Sequence, residues 1–82
     1  MQIILTEFEA SEILLPLCNF DADELGIALA EVLIAHGVFT ADEIGEIETD
    51  HNGITAHMND DREIKLELVS SGSKLYAVQI DE

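Results

Sequence analysis

The hydrophobic pattern changes period once along the chain. Apolar side chains recur at helical spacing through roughly the first 47 residues, then alternate every second residue from Ile54 onward. A short phrase marks the first part: Phe8-Glu9-Ala10-Ser11-Glu12-Ile13, Phe20-Asp21-Ala22-Asp23-Glu24-Leu25 and Phe39-Thr40-Ala41-Asp42-Glu43-Ile44. In the second and third copies Asp21 and Thr40 stand as N-caps and Glu24 and Glu43 complete capping boxes. Phe20 with Leu25 and Phe39 with Ile44 are spaced as hydrophobic staples. In the first copy Thr6 with Glu9 makes a competing box, which predicts a helix of about two turns starting near residues 7 to 10 and ending by Pro16. The copies are unevenly spaced, so they are shared capping chemistry and not a solenoid repeat.

The main helix is expected from Ala22 to His36, with Gly37 as its stop. Leu25, Ala28, Leu29, Val32 and Leu33 form one apolar face; Ile27, Ala30 and Ile34 form a second, which makes Ile27 and Ile34 a candidate oligomer face. A further short helix is predicted from Ala41 to about Ile47. Beyond it Ile54/Ala56/Met58, Ile64/Leu66/Leu68 and Tyr76/Val78/Ile80 alternate with their neighbours. Turn residues separate these runs at Asp50-His51-Asn52-Gly53, Asn59-Asp60-Asp61-Arg62 and Ser70-Ser71-Gly72-Ser73. A fourth strand is available at Glu46 to Thr49 or at Gln2 to Leu5. The expected fold is a single α+β domain over residues 1–82: two to three N-terminal helices packed on a C-terminal antiparallel β-meander of three to four strands.

Composition agrees with a folded core. The chain of 82 residues is 48% hydrophobic, with five Gly and one Pro. It therefore lies outside the disordered class despite its charge. Cys18 is the lone cysteine, which removes internal disulfides and multi-thiolate zinc sites; it is expected as a packed core thiol in a reducing, cytoplasmic setting. Met1 to Leu5 lacks the basic start of a signal peptide, and Leu25 to Phe39 is too short and too polar to span a bilayer.

Charge then changes the functional picture. Eighteen Asp and Glu stand against three Lys and Arg, a formal net charge of −15. Residues 1 to 61 hold fourteen of the acids and none of the bases. Nucleic acids and anionic membranes both require cationic side chains, so neither is an expected partner. No nucleophile has a base beside it and no glycine loop would cradle phosphate, so an enzyme is not expected. Glu48, Asp50, Asn52 and Gly53 match the opening of a calcium loop, but Thr55 and Asn59 break the match and an Asn-Gly hairpin turn accounts for the same residues. His36, His51 and His57 fall on a helix end, a turn and a strand, which is no ligand spacing. No metal or other cofactor is expected.

Asp23, Glu24, Asp42 and Glu43 in first helical turns favour the helix dipole, by about 0.3–1 kcal/mol each. Glu31, Glu46, Glu48, Asp50, Asp60 and Asp61 have no such local reason, and Asp42 with Glu46 would be a repelling helical pair. Glu31, Asp42, Glu43, Glu46, Glu48, Asp50, Asp60 and Asp61 are therefore the expected partner-binding residues, directed at a basic protein surface. In size, acidity, α+β layout and absence of a catalytic motif, the whole chain resembles the small phage-encoded inhibitors that include anti-CRISPR and anti-restriction proteins. That resemblance implies a DNA mimic acting in a host cytoplasm on the nucleic-acid-binding surface of a nuclease or surveillance complex, as monomer or homodimer. Two other readings explain the charge or the second apolar face: adaptation to high salt, and an accessory protein that oligomerises through Ile27 and Ile34. Acidic carrier proteins share the size but need a Ser at a helix start, where Asp21 and Thr40 stand here.

Overall fold

A computed structural model describes residues 1–81. The chain runs β1 (Gln2–Ile4), α1 (Glu7–Cys18), α2 (Ala22–Ala35), β2 (Ile44–Asp50), β3 (Gly53–Met58), β4 (Glu63–Ser71) and β5 (Lys74–Asp81). All strand pairs are antiparallel and the five strands lie in the order β1-β5-β4-β3-β2. The fold is α+β as expected, with two corrections to its layout. The sheet has five strands, because both candidate fourth strands form, and it is not wholly C-terminal, because β1 precedes the helices and pairs with β5.

Local caps set both helices. Thr6 Oγ1 accepts the Glu9 amide at 3.1 Å while Glu9 Oε1 accepts the Thr6 amide at 2.9 Å, a complete capping box at the start of α1. Asp21 Oδ1 accepts the Glu24 amide at 3.1 Å at the start of α2. Both helices also end alike. In α2 the Val38 amide reaches Leu33 O and the Gly37 amide reaches Ile34 O, each at 3.0 Å; in α1 the Asp21 amide reaches Pro16 O at 2.9 Å and the Phe20 amide reaches Leu17 O at 3.3 Å. These are Schellman closures, whose pivot residue takes a left-handed conformation. Gly37 meets that need with φ +77°, whereas α1 puts Phe20 there at φ +56°.

Three expectations fail at α1. The helix passes through Pro16 to Cys18, since the ring's fixed φ suits a helix and only the exposed Glu12 carbonyl loses a partner. Cys18 is exposed, not a core thiol. Phe20 makes no staple with Leu25: the left-handed turn swings its ring outward to 95% exposure.

The predicted helix from Ala41 to Ile47 does not form, and Asp42 and Glu46 are not a helical pair. Half of its capping box survives in a turn: the Thr40 amide donates to Glu43 Oε1 at 2.8 Å, while the Glu43 amide goes to the Thr40 carbonyl at 3.1 Å in place of the hydroxyl. Strand β2 then begins at once. The spacing of Ile44 and Ile47 reads as helical, but the register slips between Ile44 and Glu46. This bulge at Gly45 lets a strand turn both isoleucines toward the core. Gly45 is required there, because a Cβ would stand 2.9 Å from His57 O.

The helices pack on one sheet face around Ile13, Leu29, Leu33 and Val78, all fully buried. Each such side chain contributes about 1.5–3 kcal/mol relative to exposure. Ala56, Ile64, Leu66 and Ile80 complete this face. Tyr76 is partly exposed and the intervening Ala77 is fully buried, so β5 is less strictly alternating than expected. Helix α2 lies close to the outer strand: a Cβ on Gly26 would stand 2.7 Å from Ile47 O. Asp50 closes the hairpin to β3, so alternate residues Ile47 and Thr49 turn their backbone groups to the open edge. Thus α2 covers the edge of β2 that would otherwise be free to pair with another chain.

Candidate binding face

The sheet face opposite the helices is the acidic surface. Cross-strand register sets its residues in rows: Glu46, His57 and Glu63; then Glu48, Thr55, Lys65 and Asp81; then Glu67, Gln79 and Gln2. Asp50 continues the β2 column of Glu46 and Glu48. Same-face residues on one strand are about 6.6–6.8 Å apart, two strand rises, a spacing comparable with successive phosphates on a nucleic acid strand. A fourth row is apolar, Val69, Ala77 and Ile4, and borders the acidic field at the far end. A shallow depression of about 430 Å³ opens on this face, bordered by Gly53, Lys65, Glu67, Gln79 and Asp81.

Little on this face neutralises the charge. His57 lies between two carboxylates, with Nδ1 3.6 Å from Glu63 Oε1 and Nε2 4.0 Å from Glu48 Oε1. Lys65 Nζ stands 3.4 Å from Thr55 Oγ1. Among the described residues the only Lys or Arg ion pair is Arg62 with Asp60, Nε to Oδ2 at 2.7 Å.

The turns at one end of the sheet extend the field. Asn59 joins them: its amide donates to Glu43 O at 2.8 Å and its Nδ2 to Asp42 O at 2.6 Å. Asp42, Glu43, Asp60 and Asp61 therefore cluster beside the row of Glu46, His57 and Glu63. Glu43 holds the Thr40 amide and Asp60 holds Arg62, so those two carboxylates are partly engaged.

Seven of the eight expected partner-binding residues thus gather on the sheet face and its end. Glu31 does not join them. It is exposed on α2, on the helical side of the sheet. The expected oligomer face is also divided: Ile27 is 54% exposed while Ile34 packs partly against the core. Glu63, Glu67 and Asp81 were missed by the sequence argument. The alternation of Glu63, Lys65 and Glu67 with Ile64, Leu66 and Leu68 was visible, but the register that sets them beside β2 was not.

At the far end of β2 the hairpin forms in place of a calcium loop. Asp50 Oδ1 accepts the Asn52 amide at 2.8 Å and Gly53 takes φ +119°. Among the described residues no three His, Cys, Asp or Glu side chains converge to hold a metal ion. Among the described residues no helix is long and apolar enough to cross a membrane.

The fold and this face define a small α+β domain that presents an acidic antiparallel sheet. Comparison with protein-family models, curated proteins and solved structures gives no significant match.

Proposed function

We propose that this protein is a non-enzymatic acidic binding protein, and that it inhibits a nucleic-acid-binding protein or complex by occupying its basic surface in the manner of anti-CRISPR and anti-restriction proteins. The supporting observation is the regular cross-strand array of Glu46, Glu48, Asp50, Glu63, Glu67 and Asp81, with Lys65 the one Lys set within its rows. Apart from the turn bond of Asp50 and the His57 ring between Glu48 and Glu63, local folding gives these carboxylates no partner, and mutual repulsion opposes the compact state. An ordered array of anions facing water offers a cationic groove what a nucleic acid offers it: a field that speeds association and that salt weakens.

The test is affinity capture from a host lysate at low and moderate salt, with the natural chain and with E46K/E48K/D50K. Retention of a nucleic-acid-binding complex by the natural chain, its release by the triple reversal, and competition by DNA or RNA would support the proposal. Capture indifferent to salt and to the reversal would overturn it. If the chain unfolds in ordinary buffer and folds only near molar salt, salt adaptation replaces it.

A further inference from the structure

The Phe20 side chain has no role in the folding just described. It occupies the pivot of a Schellman closure, where Gly37 stands in the equivalent closure of α2, and its ring is 95% exposed. A bulky residue in a left-handed conformation is strained, and an exposed ring returns no burial for that strain. Its surroundings suggest a use. The ring borders an apolar cleft of about 190 Å³, walled by Pro16, Leu17, Ala22, Leu25 and Thr49. This is below the roughly 300 Å³ at which small-molecule sites begin, and suits one long side chain. The Thr49 hydroxyl on its wall is buried and has no hydrogen-bond partner among the described residues.

The charge around the cleft selects the occupant. Asp21 stands on the rim, with Oδ1 on the Glu24 amide and Oδ2 making no hydrogen bond among the described residues. An anion at the start of α2 is disfavoured, because Asp21, Asp23 and Glu24 already fill that cap and first turn. A second copy of this chain carries the same −15 charge and the same acidic rim. A cation with an aliphatic stem fits best: the stem lies along the apolar walls, and the head meets Asp21 and the face of Phe20. Thr49 is followed in β2 by Asp50 of the acidic face, so the cleft lies on the helical side of the strand whose other side carries Glu46, Glu48 and Asp50.

We propose that this cleft receives an arginine side chain of the basic partner, with Phe20 as the aromatic platform. The inference rests on the function proposed above and adds a single anchoring contact to its diffuse electrostatics. Aromatic and Arg pairs dominate the energies of many interfaces for this reason.

The experiment is a titration of isotope-labelled protein with N-acetyl-arginine amide, read by amide and methyl shifts, with N-acetyl-citrulline amide as the uncharged isostere. Saturable shifts at Phe20, Asp21 and Thr49 are expected with arginine. Citrulline should bind roughly five- to tenfold more weakly, and F20G should lose arginine affinity by a similar factor while remaining folded, the loss expected for one cation–π contact. Equal binding of citrulline, equal binding by F20G, or arginine shifts confined to Glu48, His57 and Lys65 would overturn the cleft proposal. In the last case the acidic-face function stands. If arginine fills the cleft but E46K/E48K/D50K captures the same partners as the natural chain, the cleft stands and the acidic-face function falls.

Discussion

Glu9 Oε2 accepts a hydrogen bond from His36 Nε2 at 2.9 Å, joining the first turn of α1 to the cap that ends α2. The same carboxylate takes the Thr6 amide through Oε1. One side chain therefore closes a capping box and ties two helices whose ends would otherwise be held only by packing.

The Thr6 backbone hydrogen bond, and after it the His36 side chain, hold the Glu9 carboxyl below its ordinary pKa. A carboxylate with a lowered folded-state pKa adds stability above its unfolded value and loses it as the pH falls through the folded value. Natural chain and E9Q should therefore differ at all pH values above the usual Glu value near 4.3 and converge as the pH drops through and below it. Gln retains the box, so the difference isolates the charge. Urea melts at several pH values check it; a gap that does not narrow in acid would contradict it.

Gly26→Ala should destabilise the domain although Ala is the better helix former by about 1 kcal/mol. The new methyl would stand 2.7 Å from Ile47 O, a backbone atom that cannot yield without moving β2. Overpacking costs about 1–3 kcal/mol, and contact with a backbone oxygen puts this site toward the upper end, so a net loss of about 1–2 kcal/mol is expected after the helix gain. Chemical denaturation measures it, and an unchanged midpoint would show that α2 does not ride this closely on the strand.

The two Schellman pivots should respond in opposite directions. Phe20→Gly removes a left-handed strain of about 1–2 kcal/mol and adds the chain entropy of glycine, for a net gain of about 0.5–1 kcal/mol. Gly37→Ala, at φ +77° with open space around it, should lose about 1 kcal/mol from conformation alone. Thermal melts of the two variants decide the matter.

Reversing charge on the sheet face should stabilise the free protein. Glu48→Lys lies one row from Glu46 and Asp50 on its own strand, so it relieves repulsion and is expected to add ~0.5 kcal/mol at low salt. The gain should shrink toward zero near 1 M salt, where charges are screened within about 3 Å. Melting temperatures across a salt series measure it. A variant less stable at low salt would show that Glu48 has a structural role after all.

Interactions that close within three or four residues were legible from the amino-acid sequence. Thr6 with Glu9, Asp21 with Glu24 and Gly37 placed the two helices, and period-two alternation placed β3 and β4. The same local logic misled at Thr40 to Ile47, where a real capping turn and a three-residue isoleucine spacing point to a helix. There the outcome depended on β3: pairing of Ile47 with Ala56 and of Ile44 with Met58, reconciled by the bulge at Gly45, satisfies backbone and core together. Phe20 failed for a related reason, since a staple and a Schellman pivot make competing demands on one residue and the closure of α1 prevailed.

The acidity, and its excess beyond helix-start chemistry, belonged to the sequence alone, because composition and spacing are enough to count charges and to find those without local partners. Which carboxylates share a face was decided only by the tertiary structure. Strand register is a nonlocal quantity: it set Glu63, Glu67 and Asp81 beside Glu46, Glu48 and Asp50, and it left Glu31 on the other side of the sheet.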